Sequence, residues 1–494
     1  MALPLGGCIT SPARNMHEGI YLEPEYRATP ETNTNTNTDA QHSSLVIQDH
    51  ENIFNAVHWW RLYDDPDLNA LITHAFSNNP SLAQMRARLV QASALKDKYS
   101  ASLWPSLNIS AERSTYDGSV ERRSDLDLNG AARYEIDLWG KNRALRQSYD
   151  LREQASHEDL HAGAITLSAN IVESWLNILA LVEQENLLRA QIETNQSIYG
   201  LQKNRFEMGA ASALDVLQQE NIVNARKAEL PDLLLAQEQA VNALSLLIGG
   251  SPNQVIIVRA TALPEPLAVP PAGLPSELLN NRPDIGAAWL RLLSRDENLH
   301  VARANRLPSF DLSVLYSAGE NKFSNIFDSW LLTLAGEIAL PVIDRGSLAA
   351  EERYQEALRD EAFHAYRETV LNAVNDVENA LVDNRFQDRK LVALREQLRA
   401  ARKTLEQAQF SYANGQSSYI NVLSSMTSVQ SLERQLISAQ LDQARARVTL
   451  YRALGGKGWG DIVPRVTTLM RYPGKLHAGT PPQNGHEERK KEQL

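Results

Sequence analysis

The chain repeats itself. Phe206-Glu207-Met208-Gly209 followed by Leu214-Asp215-Val216-Leu217 returns as Tyr412-Ala413-Asn414-Gly415 followed by Ile420-Asn421-Val422-Leu423, at an offset of 206 without a gap. The same offset carries Leu244 onto Leu450 and Gly249-Gly250 onto Gly455-Gly456, while Pro80 and Pro105 recur as Pro283 and Pro308 at an offset of 203. A duplication on this scale restricts the chain to two copies of one structural unit. We read residues 59–250 and 277–456 as the copies and the Pro-rich residues 251–276 as the linker between them. Outside the copies lie a residual signal segment (1–7), an N-terminal linker and arm (8–58) and a polar C-terminal segment (457–494).

Each copy predicts the same order of elements: a helix up to Leu103 or Leu307, two alternating segments, then a long helical stretch broken once, at Gly209 or Gly415. In the second copy Leu391, Leu394, Leu398, Ala401, Leu405, Ala408 and Tyr412 are spaced alternately by three and four, an a/d heptad seam. The first copy keeps the pattern less cleanly, at Leu188, Ile192, Tyr199 and Phe206, so an ordinary amphipathic core helix remains open there. Length favours coiled-coil packing, since from Ala144 to Phe206 a continuous helix would span roughly 90 Å at about 1.5 Å per residue. Glycine suits the reversals at 209 and 415 because such turns use positive φ.

The alternating segments predict strands at about 105–113, 125–139, 308–318 and 329–341. Leu107, Ile109, Leu126, Leu128, Tyr134, Phe310, Leu312, Val314, Trp330, Leu332 and Ile338 fall on apolar faces; Asp125, Asp127, Glu135, Asp137, Asp311 and Glu337 fall on the opposite ones. Long strands with one apolar and one acidic face suit a transmembrane barrel, and equally a half-exposed sheet in a soluble domain. Barrels need at least about eight strands. A chain offering four would have to share a barrel with other copies. No helical membrane span is predicted, because the most apolar stretch, Ile165 to Val182, is interrupted by Asn170, Glu173 and Asn177.

With 49 Lys and Arg against 60 Asp and Glu, the formal net charge is −11, which argues against nucleic acid as a partner. The single cysteine, Cys8, excludes an internal disulfide and any multi-cysteine metal cluster. Leu5-Gly6-Gly7-Cys8 resembles the bacterial lipoprotein box, whose cysteine becomes the acylated N-terminus. The Asn-Thr repeat between Thr32 and Thr38 reads as a flexible spacer behind such an anchor.

His157-Glu158-Asp159-Leu160-His161 has the spacing of the zinc-peptidase motif HExxH. Its surroundings, Gln154, Ser156 and Asp159, predict a solvated helix face, and Glu183 as a third ligand would sit about 33 Å along the same helix. We therefore assign no catalytic residues, no metal and no cofactor. No Ser-His-Asp arrangement or phosphate-binding glycine loop is apparent.

Taken together, several blocks resemble the outer-membrane factor family, the TolC-like exit ducts, in its lipoprotein branch. They are Trp59-Trp60 with Asp65-Pro66, Tyr134 to Gly140, Arg205 to Gly209, Leu278 to Ile285 and Leu307-Pro308-Ser309. The resemblance covers most of the chain. It implies a mainly α protein with a transmembrane β portion, three chains forming a twelve-stranded barrel in the outer membrane that continues as a long periplasmic helical barrel. It also implies acylation of Cys8 and a passive role in a tripartite efflux pump, with a periplasmic adaptor and an inner-membrane pump of the RND type as partners. A type I protein-secretion duct and, in another class, a soluble periplasmic coiled-coil scaffold are the alternatives. The resemblance places the two turns at the periplasmic end, making Phe206, Gly209, Ala210, Asp215, Tyr412, Gly415, Gln416, Asn421 and Ser424 candidates for adaptor contact or a gate. Many relatives carry acidic residues where this chain has Asn421 and Ser424, and some an Arg in place of Ser417, so a steric or hydrogen-bonded constriction is expected instead. Asn281 and Trp289 also depart from the family pattern. Asp125, Asp127, Glu135, Asp137, Asp311 and Glu337 are expected to line the barrel lumen and to favour cations.

Overall fold

The computed structural model describes residues 22, 26, 58–117, 122–252, 259–270, 273, 275–320 and 325–456. Cys8 with its lipoprotein-box sequence, the Asn-Thr repeat and residues 457–494 lie outside the described residues.

In the first copy, α1 (Pro66–Asn78) and α2 (Pro80–Ser100) lead into β1 (Ser106–Asp117), β2 (Arg122–Glu135), α3 (Lys141–Glu207) and α4 (Ala213–Leu247). The second copy runs through a helical turn (Leu278–Asn281), α5 (Pro283–Ala304), β3 (Ser309–Glu320), β4 (Trp330–Ala339), α6 (Ser347–Ala413) and α7 (Tyr419–Leu454). At 67 residues each, α3 and α6 extend about 100 Å.

Local chemistry sets these boundaries. Pro66, Pro80 and Pro283 occupy first helical positions, where the missing N–H has no intrahelical acceptor to lose. Asp65 accepts from Leu68 N at 2.7 Å, and Asn79 both accepts from Leu82 N at 3.0 Å and donates to the Leu247 carbonyl at 2.8 Å. One asparagine thus caps α2 and ties it to the end of α4.

The four strands form one antiparallel sheet in the order β1-β2-β3-β4. Its central pairing, β2 with β3, joins the two copies, with Asn129 opposite Ser317 and Glu135 opposite Asp311. β1 and β4 are its edges.

Below the sheet the copies share a core. Trp59 stacks on Tyr451 with ring centroids 5.4 Å apart, over Leu68, Ile72, Trp175, Leu179, Leu244 and Val448. A second cluster gathers Leu278, Leu279, Ile285, Tyr366, Val370, Val377 and Leu454. The linker packs on this core too: Leu267 is buried and Leu263 N donates to Glu183 at 3.0 Å. α3 contains a window long and apolar enough to cross a membrane, but 61% of it is buried among the other helices, which makes it a core helix.

The heptad seam of α6 packs as expected, with Leu391 and Leu398 buried and Leu394, Ala401, Leu405, Ala408 and Tyr412 half-buried. In α3 the expected seam needs correction. Leu188 is buried, yet Phe206 is 47% exposed, and the other buried positions toward the tip are polar: Gln191, Asn195 and Gln202. Hydrophobic periodicity passes over such a seam because its inward residues are amides. Strand ends differ as well: β2 stops at Glu135, four residues short of expectation.

The family motifs resolve into ties. Arg282 pairs with Asp284 at 2.7 Å and Asp376 at 3.2 Å and donates to the Ala453 carbonyl at 2.9 Å, joining α5, α6 and the end of α7. Asn281 takes part through its backbone carbonyl, which accepts from Gly456 N at 3.2 Å, so the departure from the family's usual residue leaves that contact intact. Trp289 packs on Tyr366, 5.4 Å between centroids.

Candidate functional site

The two ends of the molecule carry its unusual surfaces. At the sheet end, the register puts Asp125, Asp127, Asn129, Arg133 and Glu135 of β2 on one face with Asp311, Ser313 and Ser317 of β3 and Thr333 and Glu337 of β4. Asn108, Ser110 and Glu112 of β1 join them. A row of three carboxylates, Glu135, Asp311 and Glu337, crosses adjacent strands. Like charges directly opposite one another destabilise a sheet unless counter-charges or water meet them. Lys141 pairs with Glu135, and Ser309 Oγ lies 3.1 Å from Asp311.

The other face is apolar and open. Leu107, Ile109, Leu334 and Ile338 are 68–74% exposed, and every residue of β4 is exposed. Tyr316 and Trp330 stack at 6.1 Å on this face.

Asp137 does not belong to the acidic face. It lies beyond the end of β2, where its carboxylate accepts from the backbone N–H groups of Asn142 at 3.1 Å and Arg143 at 2.9 Å, capping α3 behind Gly140 at φ +74°. Asp344, which sequence reasoning missed, does the same for α6, accepting from Gly346 N at 3.0 Å and Leu348 N at 2.8 Å. Those amides hold its carboxyl below the usual range. An Asp a few residues before a Gly and a helical run was the available signal.

At the opposite end, both hairpins reverse through glycines in the left-handed region, Gly209 at φ +73° and Gly415 at φ +69°. Each turn closes with a backbone bond: Ala210 N to Arg205 O at 2.7 Å, and Gln416 N to Ser411 O at 2.8 Å. Beyond the turns the tips differ. Asp215 is engaged in a capping box, accepting from Ser212 N while its own N–H donates to Ser212 Oγ, both at 3.1 Å. Its carboxylate is therefore tied to the helix start. Ser418, in the corresponding place, makes no such side-chain bond. Asn421 and Ser424 are exposed, and Ser424 Oγ donates to the Asn421 carbonyl at 3.1 Å.

Several tip residues escaped the sequence reading. Tyr419 is buried and donates to Gln219 Oε1 at 2.7 Å; Gln219 in turn donates to the Asn195 carbonyl at 2.9 Å. Burial pushes the Tyr419 hydroxyl up to about 12. Tyr412 leans on Tyr419 with centroids 5.4 Å apart, contacts Gln202 through its hydroxyl at 3.4 Å and sits under the Arg205 guanidinium at 4.9 Å. Further up, Arg434 and the Gln430 carbonyl bind Gln191 at 2.8 and 3.2 Å. The tips are thus cross-linked by polar contacts between the copies. Around them Phe206, Met208, Leu214, Leu217, Phe410 and Ile420 are exposed.

The ligand atoms of His157, Glu158 and His161 lie within 4.8 Å of one another. The face is half-buried, which corrects the expectation of a solvated one. Asp159 pairs with Arg291 of α5, and Glu183 is bonded to the linker.

A family profile described as "Outer membrane efflux protein" matches residues 71–250 and 274–456. The chain is 33% identical to the pyoverdine export outer membrane protein OpmQ of Pseudomonas putida over 416 residues, 81% of this chain and 88% of the relative. It is 29% identical to the outer membrane protein OprJ of Pseudomonas aeruginosa, over 93% and 95% of the two chains. Among solved structures, the outer-membrane channel OprN superposes with a TM-score of 0.75 at 28% identity, over 81% of this chain and 92% of that one. The chain belongs to the outer membrane efflux protein family and is the outer-membrane channel component of an efflux pump.

Proposed function

We propose that three copies of this chain assemble into a passive exit duct for small molecules such as drugs and toxic compounds. The observation that carries this is the open sheet. Four strands with two free edges and an exposed apolar face satisfy neither their backbone nor their surface alone, and only closed barrels expose strands to lipid. Joining β1 of one copy to β4 of the next in three copies gives twelve strands. The same arrangement covers the flanks of the helices, where Leu235 and Leu246 of α4 and Leu371, Phe386 and Val392 of α6 are exposed in the single chain. Asp125, Asp127, Glu135, Asp311 and Glu337 then line the lumen and attract cations.

In this reading acylation at Cys8 adds an anchor in the outer membrane. The tips, with Phe206, Gly209, Ala210, Tyr412, Gly415, Gln416, Asn421 and Ser424 on or beside the turns, meet a periplasmic adaptor that links the duct to an inner-membrane pump of the RND type. The periplasmic mouth is held by hydrogen bonds and aromatic packing in place of an acidic ring. No catalytic step is assigned to the chain.

Reconstitution in a planar bilayer tests the proposal. Detergent-extracted protein of trimer mass should give channels that prefer cations, and the joint change Asp311→Asn with Glu337→Gln should reduce that preference. A monomer that stays in solution without detergent, or a preference for anions, would overturn it.

A further inference from the structure

We propose that His157, Glu158 and His161 form a binding site for a divalent transition-metal ion of the zinc class. The two imidazoles are four residues apart on α3 and so project from one face of it. Their rings sit 4.3 Å apart between centroids in an edge-to-face arrangement, with the Glu158 carboxylate beside them.

Distance and burial both point to a cation. The three ligand atoms lie within 4.8 Å of one another, and His161 Nδ1 is 3.6 Å from Glu158 Oε2. Tetrahedral bonds of about 2.0–2.1 Å put ligand atoms roughly 3.4 Å apart, so one pair is already at that spacing and the rest need a shift of about 1 Å, within reach of side-chain rotation. The other ring nitrogen of His161, Nε2, is buried and has no hydrogen-bond partner. A buried polar atom without a partner is unfavourable, and an ion bound through Nε2 removes that deficit, whereas one bound through Nδ1 leaves Nε2–H unpaired. Two imidazoles and a carboxylate are the donor set zinc, nickel and copper(II) accept, and unlike a thiolate set they do not select strongly among these ions.

The site lies where the copies meet. Glu158 faces Gly286 of α5 closely enough that a β-carbon there would be in ordinary contact with it, 3.7 Å from Glu158 Cγ. A bound ion would therefore sit at the junction of α3 from the first copy with α5 from the second. With three protein ligands, water completes the coordination. The proposal concerns binding of the ion alone.

Titration of the detergent-purified, chelator-stripped full chain with zinc against a chromogenic chelator tests the site. One saturable equivalent per chain is expected, weakened about tenfold or more by His157→Gln or His161→Ala, and unchanged by His74→Ala, an exposed histidine of α1. Cobalt(II) substitution should give the visible absorption of a low-symmetry site, absent from His157→Gln. His157→Gln keeps a side chain able to hydrogen-bond, so retention of the helical circular dichroism separates ligand loss from unfolding. No saturable zinc binding to the folded chain, or equal binding by both histidine variants, would overturn the proposal.

Discussion

In the second hairpin Leu391 and Leu398 are buried and Ala401 and Ala408 continue the seam; in the first, at the offset of 206, Asn195 and Gln202 stand where those alanines do, and both are buried. The backbones match in length, each long helix having 67 residues, so the difference lies in what each seam faces. α3 turns Gln191 toward α7 of the other copy and Asn195 toward Gln219 of α4. It is held from two sides by groups needing partners. A polar position in a coiled-coil seam lowers stability relative to an apolar one but fixes register, because a slipped helix would strand its amides. Toward the tips, duplication thus produced one seam that holds by packing and one that holds by alignment; nearer the core the second hairpin has a polar tie of its own, where Asn384 of α6 bonds Arg447 and the Ala446 carbonyl of α7.

Truncating each seam should separate the two. Leu398→Ala should cost about 2–5 kcal/mol, since it empties a packed apolar position, whereas Asn195→Ala should cost about 1–3 kcal/mol, because Gln219 keeps the Asn195 backbone carbonyl but loses the side-chain oxygen 3.2 Å away, and the Gln191 carbonyl loses the amide that donates to it at 2.6 Å. The two are read from denaturant unfolding followed by circular dichroism. The triple change Asn195→Leu, Gln219→Leu and Tyr419→Phe sharpens the contrast: it should recover most of the loss, because the buried Tyr419 hydroxyl that bonds Gln219 is removed together with the two amides. If the triple variant is as unstable as the sum of its single changes, alignment is not what the amides supply.

The helix starts at the tips give a smaller difference. Asp215→Ala should destabilise by about 0.5–2 kcal/mol by opening the capping box, while Ser418→Ala should stay within about 0.5 kcal/mol because its side chain makes no capping bond. Equal losses in a melting experiment would show that the tips are capped alike.

The smallest effect concerns pH. Burial raises the Tyr419 hydroxyl from about 10 to about 12, so between those values the folded chain retains a proton that the unfolded chain has released. Its share of stability is complete below about pH 10 and declines as pH rises toward 12. Tyr419→Phe should flatten the alkaline fall in melting temperature, and an unchanged slope would mean that the phenol does not report on the tip.

What could be read from the sequence follows from how loudly each element repeats. Alternation within the four strand segments and the leucine spacing of α6 announce the strands and one seam, because apolar side chains recur at the period of the element. The polar seam of α3 escaped, since Gln191, Asn195 and Gln202 carry the right period in the wrong chemistry. Asp137 was misplaced because the alternation Leu126 to Leu138 runs on past the end of the strand, and only the nearby Gly140 marks where the backbone turns. The Ser212-to-Asp215 spacing was legible as a capping box, but Asp215 was considered only for adaptor contact or a gate and Ser212 was not singled out. Tyr419 gave no periodic signal of its own.

The sheet order follows the chain without a crossover, each copy contributing one ribbon of two strands and one hairpin. In the proposed trimer six tips therefore surround the mouth, alternating between two kinds. A hexameric collar pressed against that rim would meet two chemistries in turn, so its six subunits could not all make the same grip, and threefold asymmetry would be written into any partner built from identical parts.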